Sequence, residues 1–526
     1  MRIYISALAA SLGFLFLMGV LQADRPLWQD ESLLLTNLGQ DWWHYFSALP
    51  YHDQAAPPFT LILLDMLWRV TGGDLPLMRL ALLMTTSACL AAVGAYAARG
   101  GSAGVVLAVA IVALSPTTLR YATEIKHYIF ELLAALVLVS TAISLRLRGR
   151  TEPFVYAALA LLLSFFSFSA MLVAVVVLAD VVLFRVKNVE RRRWVIALGL
   201  FAVVWGLLYL GIFLPITHLQ LSNYTDTYQG SLLLELLQNR PGSVGRRILY
   251  VAGQPIFAIL GAAILLIGLV LLNRAKPSAL AQHAFAALRA AHGAPVRIWL
   301  GLTALILILS LLGLYPLSSS RQLLFTMAPS AIALASLFVG VLGQSRNTGR
   351  LAAALALVLL PGAAMEFKKT VSGDYIFQDT TALYKFLRSN SDVTVIPNLL
   401  FEPTLRLFVG QDGASRLRIV GLLSPASGPM ESTDEVVARL KDTDASLPAH
   451  IWHALRRDGA YRVYADWIVS LAAREGEAHF AVAQLSEGTD RYIADSAAVS
   501  GCAIVRAFSA ADVVAYRITC RQTAAP

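Results

Sequence analysis

Phe154–Phe184, FVYAALALLLSFFSFSAMLVAVVVLADVVLF, holds one acid, Asp180, and no base, and the basic run RVKNVERRR, Arg185–Arg193, follows at once. A helix crosses about 30 Å of hydrocarbon with roughly 20 residues. The stretch is therefore too long for one crossing and too apolar for a soluble element. Its middle, Phe166-Ser167-Phe168-Ser169, is the natural place for a tight turn, which divides it into two crossings, Phe154–Phe168 and Ser169–Phe184. Lys and Arg gather in cytoplasmic loops, so the basic run marks the cytoplasmic side.

Working outward, further apolar runs of similar kind are Leu75–Ala98, Ser102–Leu119, Tyr128–Leu145, Trp194–Leu214, Val251–Leu272, Ile298–Tyr315, Gln322–Leu342 and Leu351–Met365. The first run, Ile3–Leu21, follows a lone Arg2. It exceeds the core of a signal peptide and ends without a small-x-small cleavage site, so it reads as a retained span with its N-terminus inside. Together these give about eleven spans. The basic clusters Arg146–Arg150, Arg185–Arg193, Asn273–Arg297 and Arg346–Arg350 all fall on the inner side provided that Pro57–Val70 does not cross. That run contains Asp65 and Arg69 and is short enough to lie along the interface. Residues 22–74 then form an external loop carrying membrane-surface helices. Residues 119–127, 215–250 and 316–321, and everything after Met365, face the same outer side.

Composition agrees. Charged residues make up 14% of the chain, against about 25% in a soluble domain, which argues against an ordinary cytosolic enzyme. The formal charge of +9 is spread in short clusters between apolar runs. A nucleic-acid binder would pool it on one face. Three cysteines exclude a disulfide-dense scaffold and a Cys-rich metal cluster.

From Glu366 charges return and apolar runs shorten. Asp392–Ile396 reads as a strand between helical stretches at Thr380–Asn390 and Pro403–Val409. Thr433–Asp442 reads as a helix, and Ala503–Phe508 and Asp512–Ile518 read as paired strands. The expected architecture is a polytopic α-helical membrane domain, 1–365, followed by an external mixed α/β domain, 366–526. Cys502 and Cys520 bracket the paired strands, so a hairpin turning near Ala511 brings them together as a disulfide; Cys89 lies in a span.

Four polar clusters converge on the outer face: Trp28-Gln29-Asp30-Glu31; His52-Asp53-Gln54 before Pro57-Pro58; Arg120-Tyr121-Ala122-Thr123-Glu124-Ile125-Lys126-His127-Tyr128; and Ser318-Ser319-Ser320-Arg321. Carboxylates beside bases at headgroup depth suit transfer between a hydroxyl and a lipid-linked phosphate. A carboxylate accepts the hydroxyl proton, and cations stabilise the departing phosphate. Each cluster also has a plainer reading. Acids just outside a span, such as Asp24 and Asp41, are commonly solvated, and Arg120, Lys126 and Arg321 can snorkel to lipid headgroups. His127 has no second metal ligand at a suitable spacing.

The order of these elements resembles the C-type (GT-C) integral-membrane glycosyltransferases, in the branch of the protein O-mannosyltransferases and the lipid A aminoarabinose transferase. It is carried by Asp30-Glu31 after the first span, Pro57-Pro58-Phe59, Ser115-Pro116 with Tyr121-Ala-Thr-Glu124-Ile-Lys126-His-Tyr128, and Arg321-Gln322-Leu323-Leu324, over roughly residues 1–345. The chain has Thr-Glu-Ile-Lys-His-Tyr where the family pattern has Gln-Glu-Ala-Arg-x-Tyr, and lysine lacks the planar fork of arginine.

The resemblance implies an inverting transferase that moves a monosaccharide from a polyprenyl-phosphate donor to a lipid, glycan or protein acceptor. The site would lie at the periplasmic face of a bacterial inner membrane. Asp30 would be the general base, with Glu31 or Asp53 orienting it. Lys126, Arg120 and Arg321 would hold the donor phosphate, and His52, Glu124, His127 and Tyr128 would contribute to substrate binding. No cofactor is implied, although an acidic pair can hold a divalent cation, and no nucleic acid is expected as a partner. Two alternatives remain: a polymerase or ligase of lipid-linked glycans, and a non-enzymatic lipid or polysaccharide flippase. The last would place charges along a path inside its spans.

Overall fold

The computed structural model describes residues 1–49, 55–144, 152–186, 188–217, 293–312, 314–315, 323–342, 348–376, 378–398, 401–412, 417–420, 423–424, 447–448, 461–483 and 489–520. Among them the helical part comprises α1 (Arg2–Gln22), α2 (Gln29–Leu35), α3 (Pro58–Val70), α4 (Leu75–Arg99), α5 (Ala103–Ala113), α6 (Pro116–Ala122), α7 (Tyr128–Ser144), α8 (Glu152–Ser164), α9 (Ala170–Asp180), α10 (Asn188–Leu208), α11 (Gly293–Leu311), α12 (Met327–Leu342) and α13 (Thr348–Ser372).

A helix that is apolar all round belongs in the middle of a bundle. That is α5, buried from Gly104 to Ala113 and packed against α1, α4 and α12. Gly104 permits the closest of these approaches, since a Cβ there would stand 2.9 Å from the Ser336 Cα of α12.

Four described helical segments are long and apolar enough to cross a membrane: Arg2–Gln22, Leu75–Arg99, Glu190–Thr217 and Gly293–Leu311. The run Ser102–Leu119, read from the sequence as one span, is instead α5 and α6 bent by 69°. Ser115 is extended there and Pro116 opens the new helix, because proline disfavours helical geometry in the residue before it. Counting that pair as one gives five candidates, fewer than the eleven spans expected. Tyr128–Ser144, Glu152–Ser164 and Leu324–Val339 are apolar but shorter, and Val251–Leu272 lies outside the described residues.

The turn between α8 and α9 falls at residues 165–169, and buried Glu131 of α7 organises it. The Glu131 carboxylate accepts from the Ser167 hydroxyl at 2.6 Å, the Phe168 N–H at 3.0 Å and the Ser169 N–H at 3.0 Å, and also from the Ser169 hydroxyl. Asp180 is likewise committed, to Arg297 Nε of α11 at 2.7 Å. Within the run Pro57–Val70, the short helix α3 begins at Pro58. Its buried Asp65 takes hydrogen bonds from the Gly39 N–H at 2.7 Å, Trp42 Nε1 at 3.0 Å and Arg69 Nε at 2.8 Å. These fix the single-turn segment Trp42–Phe46 against α3.

Helix α13 does not stop at Met365 but runs on through Glu366 to Ser372. Gln22 Nε2 of α1 donates to Glu366 at 2.9 Å and to Thr370 at 2.8 Å. Beyond it come α14 (Thr380–Ser389), β1 (Thr394–Pro397), α15 (Glu402–Asp412), a two-residue parallel pair β2 (Leu423–Ser424) and β3 (Leu447–Pro448), α16 (Tyr461–Glu475), β4 (Glu477–Ala483), α17 (Thr489–Val499), β5 (Cys502–Ala510) and β6 (Val513–Cys520). The four-stranded sheet has the order β1-β4-β6-β5, parallel between β1 and β4 and antiparallel elsewhere. Alternation along its strands supplies two cores. Ala478, Phe480, Val482, Tyr516 and Ile518 meet Trp467, Ile468 and Leu471 of α16 and Ile493 of α17. Ala481, Val513 and Ala515 meet Leu383 and Leu387 of α14 and Leu405 of α15. Cys502 and Cys520 face each other at the open end of the β5–β6 hairpin, Cα atoms 4.1 Å apart, and form a disulfide. Cys89 is a free thiol. The helix expected at Thr433–Asp442 lies outside the described residues.

Candidate functional site

Helix α2 begins where the chain leaves α1. Trp28 is extended, and Glu31, at the third helical position, reaches back to the Trp28 N–H. Acids in a first turn complement the helix dipole, but Glu31 does much more. It has no exposed surface and accepts from Arg25 Nη2 at 3.0 Å, Arg79 Nη2 at 2.7 Å and the Ile125 N–H at 2.9 Å. Burial by itself would raise its pKa. The Arg79 and Arg25 guanidiniums and the Ile125 N–H outweigh that and hold it near 2. Glu31 is thus a fixed anion tying together the exit of α1, the start of α4 and the loop after α6.

Asp30, its neighbour, is partly exposed. The two carboxylates of the acidic pair therefore sit in different environments, one sealed and one reachable.

The second contributor is the 120–128 segment. Because Pro116 turns the chain, α6 carries Arg120 and Tyr121 across the end of the bundle rather than on into α5's axis. Arg120 stacks over Trp28 at 5.6 Å and Tyr121 at 5.3 Å, and its Nε lies 3.6 Å from Glu124 Oε2. Thr123 accepts from Arg25 Nη1 at 3.1 Å. Glu124 is 1% exposed. Burial pushes it up to about 7; the Arg120 charge opposes the rise, while the Glu31 and Asp30 carboxylates add to it. Lys126 is buried and its N–H donates to the Glu124 carbonyl at 2.8 Å. The His127 ring lies 4.4 Å from that of Tyr128, which meets Tyr121 edge-on at 5.5 Å.

So Asp30, Glu31, Arg120, Glu124 and the Lys126–Tyr128 stretch are brought to one end of the bundle. His52, Asp53 and Arg321 lie outside the described residues. The Glu31 oxygens are taken by two arginines and a backbone N–H, so Glu31 holds in place the helix that carries Asp30. Arg25 and Arg79 escaped the sequence reading. Arg79 had a visible signal as a charge inside an apolar run, which in a membrane protein marks a partnered or functional group.

The sheet-bearing part covers the same end. Gln378 Oε1 accepts from the Gln29 N–H at 2.9 Å, the Thr380 hydroxyl donates to the Leu27 carbonyl, the Thr404 hydroxyl donates to Ser32 Oγ at 2.5 Å, and Gln411 Nε2 donates to the Gly73 carbonyl at 2.8 Å. Three of these contacts flank Asp30 in sequence. Among the described residues no three His, Cys, Asp or Glu side chains converge as a metal site requires.

Comparison with protein-family models, with curated proteins and with solved structures gives no match to this chain.

Proposed function

We propose that the chain is an integral-membrane glycosyltransferase of the GT-C kind, transferring a monosaccharide from a polyprenyl-phosphate donor to a hydroxyl acceptor with inversion. The observation that carries this reading is the meeting of the acidic pair with the 120–128 segment: the Ile125 N–H binds Glu31, 94 residues away, at 2.9 Å. A partly exposed carboxylate, Asp30, belongs to the same cluster as Glu124, with which it interacts. Asp30 takes the acceptor hydroxyl's proton as the oxygen attacks the anomeric carbon. The bond to the donor phosphate breaks, and polyprenyl phosphate leaves as an anion that needs no protonation. Arg120 and Lys126 neutralise that anion, together with Arg321.

A flippase would be favoured by charges lining a path through the helices. The charges buried within helices α4, α7 and α9 are engaged locally instead: Arg79 by Glu31, Glu131 by the 167–169 turn, and Asp180 by Arg297. The crossing of about eleven spans, with the active face and the α/β part outside a bacterial inner membrane, belongs to the same proposal. The Cys502–Cys520 disulfide supports an oxidising location for that part.

The test is mass spectrometry of envelope lipids and glycans from cells with and without the protein. Loss of one sugar residue supports the reading and names donor and acceptor together. Unchanged glycans accompanied by a lipid-linked sugar stranded in the inner leaflet would favour the flippase.

A further inference from the structure

The Glu124 carboxylate is not fully used. It is 1% exposed, its Oε2 meets Arg120 at a long 3.6 Å, and its Oε1 has no hydrogen-bond partner among the described residues. Facing it are Arg25 after α1, Asp30 and Glu31 of α2, Arg79 of α4 and Arg120 of α6. Lys126 and His127 follow in its own loop. Three guanidiniums thus stand against three carboxylates. Lys126 adds a further base, and protonating Glu124 raises the net charge of the whole cluster by one.

We propose that Glu124 is a protonation gate on anion binding: with its proton on, the cluster holds the donor's phosphodiester tightly, and with its proton off, it holds it more weakly. The inference rests on the glycosyltransferase reading and deepens it by naming what regulates the donor site. The geometry supplies the reason. A buried carboxylate beside a phosphate has no water to screen it, and two anions in a poorly solvated site cannot both stay charged without cost. The proton comes from solvent, goes onto the unpartnered Oε1 and returns when the lipid product leaves. Burial already sets Glu124 at about 7, so the gate works in the physiological range. A bound anion raises its proton affinity further, so binding above that pH takes up protons.

The probe is a short isoprenyl alkyl phosphodiester, whose single negative charge does not titrate, added to the full chain in detergent. Affinity for the wild-type protein should fall on the order of tenfold between about pH 6 and about pH 9, equivalent to a one-unit coupling. Glu124→Gln should bind with the low-pH affinity at every pH. His127→Gln should keep the fall, because the gate proton sits on the Glu124 carboxylate. Calorimetry of the wild type at about pH 7.5, in buffers of different ionisation enthalpy, should show proton uptake on binding, and this holds even if Glu124→Gln fails to fold. A flat wild-type profile, a slope that survives in Glu124→Gln or vanishes in His127→Gln, or binding without proton uptake would each overturn the gate while leaving the transferase reading standing. No binding of the phosphodiester at any pH would remove both.

Discussion

Arg79 Nη2 donates to Glu31 Oε2 across 2.7 Å, with neither side chain showing any surface to solvent. The same guanidinium also reaches the Ala23 and Arg25 carbonyls, so one side chain satisfies both a carboxylate and the unpaired backbone where α1 ends. Removing Arg79 leaves the buried Glu31 with Arg25 as its one remaining ion-pair partner among the described residues, and removing Glu31 leaves the buried Arg79 without its carboxylate. Arg79→Ala should lower stability by about 3–5 kcal/mol. Arg79→Lys should recover only part of the loss, since an ammonium cannot bridge acid and carbonyls as a planar fork does. Thermal unfolding in detergent reads both, and a wild-type melting temperature in Arg79→Ala would mean that the pair carries no stability.

The pH dependence of that pair has a definite sign. Glu31 is held near 2 against an ordinary 4.5, so it stabilises the fold fully above the unfolded pKa. The contribution, about 3 kcal/mol, is lost as pH falls from about 5 through about 2. Glu124 works the other way: its raised pKa favours the folded state at low pH, and that advantage is lost as pH rises from 4.5 through about 7. Melting curves of Glu31→Gln and Glu124→Gln against pH separate the two. The first should flatten the acid limb and the second the limb near neutrality.

Glu131 makes a second, independent prediction about the fold. Its carboxylate satisfies two hydroxyls and two backbone N–H groups in the 167–169 turn. Glu131→Ala leaves the two N–H groups without that acceptor and the two hydroxyls with only each other to donate to, and should cost at least about 3 kcal/mol. Glu131→Gln keeps one acceptor and should cost less. Equal stability of the two variants would show that the turn does not depend on the carboxylate.

Cys502 and Cys520 close a loop of 18 residues around the β5–β6 hairpin. A loop of that size is worth about 3 kcal/mol in chain entropy, and the strands it joins carry Val514, Tyr516 and Ile518 of one core. Cys502→Ser with Cys520→Ser should therefore destabilise the sheet-bearing part and sensitise it to protease. Non-reduced peptide mapping should find these two linked and Cys89 free; finding both as thiols would contradict the pairing.

What could be read from the sequence follows from which signals are local. Apolar runs gave α1 and α4 nearly to the residue, because burial in a bundle needs only length and composition. Hairpin chemistry around Ala511 gave β5 and β6. The break at Ser115-Pro116 was in plain sight, yet hydrophobicity on both sides of it masked a change of direction. Strand β4 was missed because a strand buried on both faces loses its alternation, and Glu477–Ala483 reads as a mixed run until β1 and β6 flank it. At the site, the pattern of residue types placed Asp30-Glu31 and Tyr121–Tyr128 together, but the partition of roles within the acidic pair depended on Arg25 and Arg79, which reach Glu31 from 6 and 48 residues away. No local rule carries that information.

The partition leads to the central prediction, that Asp30 rather than Glu31 is the base. Adjacent helical residues point about 100° apart, so one carboxylate can face the arginines while the other faces outward, and Glu31 is the one sealed in. Asp30→Asn preserves shape and removes basicity. Turnover should fall by about 10²–10⁴-fold, the usual worth of a general base, with the melting temperature kept and phosphodiester binding not weakened. Glu31→Gln should do the reverse in origin: its loss of turnover should track its loss of stability and recover where the fold is rescued, for instance at lower temperature. Both variants would be assayed with the donor named by the glycan analysis, at matched folded fractions. If Glu31→Gln abolishes turnover while remaining folded and Asp30→Asn does not, the roles are exchanged. If neither affects turnover, α2 does not carry the base and the reaction is not run from this end of the bundle.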